Sequence, residues 1–159
     1  MKKTHLFLLL GFLFTACENT PESYIQKTTI DDICFSYYLT NKEGENIYKF
    51  AQGEVLFVHL DIQNNRSDTI MAYAENLGGC YDNNKCLVES MSAYISTDSL
   101  PIYKTISQNS TIQFAHAFIV TASAGVYNYR NPQVSIYIKG NESNVKEYTL
   151  PLNSSLKIK

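Results

Sequence analysis

The chain has 159 residues with 13 basic and 15 acidic side chains, four cysteines, twelve tyrosines and no tryptophan. That length suits one domain with a core of ordinary size. Mild acidity spread along the chain speaks against nucleic acid, which calls for a clustered basic face.

In chain order the first signal is Lys2 and Lys3, then an uncharged apolar run from Leu6 to Phe14. The run is too short for a membrane-spanning helix, which needs about 20 residues. Small residues Thr15 and Ala16 stand where a signal peptidase cuts, and Cys17 follows at once. Thr15-Ala16-Cys17 resembles the lipobox of bacterial lipoproteins, with Phe14 in place of the usual leucine and Leu13 one place upstream. The resemblance implies that residues 1–16 are removed and that Cys17 becomes the lipid-bearing first residue. Taking 16 from 159 leaves 143 residues, and losing Lys2 and Lys3 leaves 11 basic against 15 acidic, a net charge near −4.

Residues 17–32 are polar, carry Pro21 and hold no period, so they read as a flexible tether. From 33 to 159 the pattern is a β domain. Ile33, Phe35, Tyr37 and Leu39 alternate with Cys34, Ser36, Tyr38 and Thr40, giving a strand with one buried face. A turn cluster at 41–46 leads to a short Ile47–Phe50 segment and a turn at Gly53. Val55–Gln63 is the clearest strand, with Leu56, Val58, Leu60 and Ile62 on one face. Further strands are expected at Thr69–Ala74, Leu87–Ser96, Ile102–Ser107, Thr111–Val120, Val126–Arg130, Gln133–Lys139 and Val145–Leu152. Many short strands without a capped helical stretch point to a single all-β antiparallel sandwich. An eight-stranded barrel is the competitor, disfavoured by uneven strand lengths and the long 76–86 loop.

Phe35–Asn41, Phe50-Ala-Gln-Gly53 and Val55–Asn64 together resemble the opening of small immunoglobulin-like lipoproteins of Bacteroidetes, and more distantly the proteinase-inhibitor-like sandwich of bacilli. Ala124-Gly125-Val126-Tyr127 is similar to the Gly-x-Tyr entry of a late strand in such sandwiches. The resemblance implies an immunoglobulin-like fold in which that tyrosine ties its corner back to the backbone. Because such sandwiches host many roles, it implies little about function.

The residues that carry chemistry are few. Cys80 and Cys86 flank the turn-forming segment Tyr81-Asp82-Asn83-Asn84-Lys85, and a disulfide between them is expected as a staple. Closing that loop would stabilise by roughly 2–2.5 kcal/mol. Neither further ligands nor a Cys-x-x-Cys spacing supports a metal or redox pair. Cys34 reads as a packed free thiol. His59 and His116 lie in strands, with no third zinc ligand and no Gly-x-Ser-x-Gly elbow, so no catalytic site and no cofactor are expected. Asp82-Asn83-Asn84 lacks the glycine and late glutamate of a calcium loop. The loop residues Tyr81, Asp82, Asn83 and Asn84 are the candidate binding loop. Thr69 and Ser99, within Asp68-Thr69-Ile70 and Asp98-Ser99-Leu100, match a short O-glycosylation pattern of Bacteroidetes, and Asn65, Asn109, Asn141 and Asn153 head accidental sequons.

The expectation is therefore a lipid-anchored envelope protein at the outer membrane, on its periplasmic face or at the surface. It would act as a non-catalytic binding, adhesion or assembly module for a protein or glycan partner. The alternatives are a proteinase inhibitor using the Cys80–Cys86 loop and a pilin-like subunit donating Leu150–Lys159.

Overall fold

The computed structural model describes residues 25–75, 77, 81–82, 85–91, 103–140 and 145–159. The described residues form twelve strands and no helix: β1 (Gln26–Ile30), β2 (Ile33–Thr40), β3 (Lys49–Phe50), β4 (Val55–Asn64), β5 (Ile70–Glu75), β6 (Tyr81–Asp82), β7 (Lys85–Cys86), β8 (Val88–Ser90), β9 (Lys104–Ile106), β10 (Thr111–Val120), β11 (Gly125–Lys139) and β12 (Val145–Ile158). They build a β-sandwich of two largely antiparallel sheets. One sheet runs β1-β2-β4-β10-β8; the other runs β3-β12-β11-β5-β9, with the β6–β7 hairpin hung from β11.

Alternation explains why these segments become strands. Ile33, Phe35, Tyr37 and Leu39 of β2 and Leu56, Val58, Leu60 and Ile62 of β4 all point inward and are buried. They meet Ile70 and Ala72 of β5, Ile136 and Ile138 of β11, and Tyr148, Leu150, Leu156 and Ile158 of β12. Each fully buried aliphatic or aromatic side chain stabilises by about 1.5–3 kcal/mol. A one-residue slip would turn every one of them to water, so the register is strongly specified.

The turns are also legible. Gly53 has φ 85°, a left-handed conformation that glycine takes without steric cost, and its N–H donates to the Val120 carbonyl at 2.8 Å. At the β10–β11 corner the Tyr127 hydroxyl donates to the Ser123 carbonyl at 2.7 Å. This is a tyrosine corner, as the sequence resemblance implies. Gly125 leaves room beneath it: a Cβ there would lie 3.1 Å from the Tyr127 ring, which would have to shift by a few tenths of an ångström.

Three expectations change. Residues 26–32, expected as part of a tether over 17–32, belong to the sandwich, where β1 forms a hairpin with β2 through Asp31-Asp32. Those two residues have φ of 52° and 59°, the conformation of a two-residue type I′ turn, usually built from Asn-Gly. Val126–Arg130 and Gln133–Lys139 are one strand, β11, which passes Asn131-Pro132 with a register irregularity between Asn131 and Val134. Finally, β12 continues to Ile158, where β3 pairs with it in parallel at Lys157 and Ile158 only.

Candidate functional site

Two strand edges face each other along one side of the sandwich. Among the described residues β1 ends its sheet, pairing with β2 alone. Residues 145–150 of β12 pair with β11 on one side and, among the described residues, with no strand on the other. Between the two edges lies a groove of about 430 Å³ lined by Gln26, Lys27, Thr28, Ile30, Phe35, Tyr37, Thr149 and Leu150. Its floor is apolar: Phe35, Tyr37 and Leu150 come from the core, and Ile30 stands 38% exposed at its edge. The inward positions of β1, Gln26, Thr28 and Ile30, are not covered as those of β2 and β4 are, because the opposite sheet falls short of them. The volume lies in the range of pockets that take small ligands, roughly 300–1,000 Å³.

One end of the groove is clasped. Asp31, in the turn after β1, accepts from the Lys146 ammonium and from the Tyr148 hydroxyl, the latter at 2.7 Å. These bonds join the β1 edge of one sheet to β12 of the other. They hold the Asp31 carboxyl below its ordinary range, chiefly through the bond to Lys146 and then that to Tyr148. Burial, with the bond to Asp31 next, pushes the Tyr148 hydroxyl up to about 12. Beside the clasp, the Arg66 guanidinium grips Asp68 at 2.8 and 3.3 Å. Asn64, fully buried beneath it, donates to the carbonyls of Asp68 (2.7 Å) and Ile106 (3.1 Å) and accepts from the Arg66 N–H (3.0 Å).

Of the candidate site residues singled out from sequence, none that the structure describes lines this groove. Cys17 falls outside the described residues, as do Cys80, Asn83, Asn84 and Ser99. Thr69 is exposed between β4 and β5. Tyr81 and Asp82 belong to the β6–β7 hairpin, where Tyr81 pairs with Cys86 and Asp82 with Lys85. No disulfide is seen at Cys86, whose expected partner Cys80 is not described: Cys86 is a free thiol, and its Sγ donates to the Val88 carbonyl at 2.8 Å. Backbone pairing closes this hairpin, and its register sets Tyr81 across from Cys86. Cys34 is also free, half-buried on the outer face of β2.

Each histidine meets a hydroxyl. His59 Nε2 is 2.8 Å from Thr40 Oγ1, and its ring stacks on Tyr38 at 4.9 Å. His59 Nδ1 is buried without a partner among the described residues. Alongside, Asp61 accepts from Tyr38 (3.1 Å) and Gln113 (2.9 Å). His116 Nε2 is 2.8 Å from Ser90 Oγ, and burial lowers its pKa from the usual value. His59 pairs across the ladder with Ala115, and His116 with Val58. The two imidazoles therefore point to opposite faces of one sheet and share no cleft. On the outer face of the other sheet, Tyr103, Tyr73 and Tyr137 form a row with centroids 5.9 and 6.1 Å apart. Among the described residues no group of three or more His, Cys, Asp or Glu side chains is placed to hold a metal ion.

The pilin-like alternative designates Leu150–Lys159 as a donor. Nearly all of that segment lies in β12, paired with β11, and Leu150, Leu156 and Ile158 are buried in the core of the same chain. Donation would dismantle this core.

No family model and no curated protein matches the chain. Among solved structures it is similar to the ASH/PapD-like domain 7 of human CEP192, at 12% identity over 77% of this chain and 84% of that one, with a TM-score of 0.40.

Proposed function

We propose that this protein is a lipid-anchored bacterial envelope protein, held at the outer membrane through Cys17, whose sandwich binds a partner non-catalytically at the lateral groove. The observation that carries this reading is the groove itself. It combines an apolar floor from Phe35, Tyr37 and Leu150 with two strand edges that no described strand covers. Apolar floors with polar rims are the usual form of binding sites, and open strand edges present unpaired backbone donors and acceptors. The anchor rests on Thr15-Ala16-Cys17 behind the Leu6–Phe14 apolar run. Among the described residues no helix is long and apolar enough to cross a membrane. Several acyl chains on Cys17 would make membrane attachment stable.

Two experiments test the two halves. Radiolabelled palmitate should enter the wild type and not Cys17→Ser; equal labelling of both removes the anchor. A photoreactive amino acid installed at Thr28 or Thr149, on the groove, should capture a partner in intact cells, whereas one at Gln63 on the outer face of β4 should not. Capture from Gln63 alone would move the binding surface away from the groove.

A further inference from the structure

We infer that the groove takes an extended peptide segment that adds to β1 as a sixth strand, with apolar side chains at alternate positions and a carboxylate beside Lys27. The inference rests on the binding-module reading and adds the chemistry of its partner. β1 and β2 form a hairpin with a two-residue loop and Ile30 opposite Ile33. In such a hairpin the closing pair is hydrogen-bonded and bonded pairs alternate along the ladder. Ile30, Thr28 and Gln26 therefore spend their backbone groups on β2, while the N–H and C=O of Lys27 and Thr29 point toward the open side. Their spacing of two residues is the repeat at which an antiparallel neighbour exchanges its bonds.

The groove supplies the matching side-chain sites. A strand laid beside β1 directs alternate residues down next to Thr28 and Ile30, onto Phe35 and Leu150. Its intervening residues lie outward next to Lys27 and Thr29. Lys27 is the one charged residue among the described residues lining the groove, so the favoured outward neighbour is a carboxylate. Main-chain bonds give such a complex affinity and the alternate pockets give it selectivity. The Asp31–Lys146–Tyr148 clasp closes one end of the groove and so sets where the added strand stops.

The test uses the full mature chain and a blocked hexapeptide, Thr-Val-Glu-Val-Thr-Val, carrying a fluorophore. Anisotropy should report binding, and hydrogen exchange should show peptide-dependent protection at the Lys27 and Thr29 amides. Lys27→Pro deletes a donor that β2 does not use, so the fold persists and peptide affinity should fall at least tenfold; Thr29→Pro should do the same. Lys27→Glu should weaken the peptide about three- to fivefold, and replacing its glutamate by lysine should restore binding to that variant. Unchanged binding to both proline variants, no binding of the peptide, or protection elsewhere would each overturn the inference. A homodimer abolished by Lys27→Pro would overturn it too, by making a second copy the occupant. Groove capture in cells that survives both proline variants would leave the binding module standing and refute strand addition alone.

Discussion

Replacing Asn64 by alanine should destabilise the sandwich far more than the same change at its exposed neighbour Asn65. Asn64 is fully buried, and its side chain makes three bonds: to Asp68 O at 2.7 Å, to Ile106 O at 3.1 Å and from Arg66 N at 3.0 Å. Its backbone adds two more, to Ser110 O and from Asn109 N, and these survive the substitution. The bond to Ile106 is buried on both sides, so losing it strands a carbonyl at a cost of about 1–3 kcal/mol. The other two are partly reached by water and are worth about 0.5–1.5 kcal/mol each. A loss of about 3 kcal/mol is expected, a large share of the roughly 5–15 kcal/mol that such domains possess. At about 4 °C per kcal/mol for a domain of this size, Tm should fall by about 12 °C. Urea unfolding with matched m-values is the assay, and Asn65→Ala, at an exposed neighbour, is the control expected to stay within about 0.5 kcal/mol. An Asn64→Ala loss within about 1 kcal/mol of that control would refute the argument that this side chain organises the turns behind the clasp.

Tyr127→Phe should cost about 1 kcal/mol in urea unfolding, the worth of the short hydroxyl bond to the Ser123 carbonyl; no change would mean that the corner is held by packing alone. Tyr148 has a folded-state pKa raised from 10.0 to about 12, so its stabilisation is complete below pH 10 and is lost as pH rises through 12. The Tm gap between wild type and Tyr148→Phe should accordingly shrink over that window, and a constant gap would contradict the assignment. Both Cys34 and Cys86 should alkylate without reductant, being free thiols in the structure. Mass spectrometry showing Cys86 blocked would reinstate the loop disulfide.

What the sequence reveals depends on how local the determinant is. β2 and β4 are legible almost to the residue, because four inward aliphatic or aromatic side chains in each alternate without interruption. The tyrosine corner is legible because it is local: Gly125 sits two residues before Tyr127, whose hydroxyl reaches a backbone carbonyl four residues back. β1 is hidden because Gln26–Ile30 carries one aliphatic residue, and its turn is built from two aspartates in a conformation that asparagine and glycine normally signal. β11 reads as two strands because Asn131-Pro132 imitates a turn, whereas the ladder to β12 absorbs it as an irregularity. The groove has no local signature at all. It exists where β1 meets β12, and the contact that closes it, Asp31 with Lys146, spans 115 positions of sequence. Loop composition instead drew attention to Tyr81–Asn84, where turn-forming residues mark a hairpin.

The most direct measurement of the central claim is amide hydrogen exchange on this protein in native envelope vesicles and again after purification in detergent. Occupancy of the lateral groove predicts extra protection in the envelope at residues 26–30 and 145–150, lost on purification. Identical exchange of those segments in both states, or protection confined to the outer faces of β4 and β10, would contradict it.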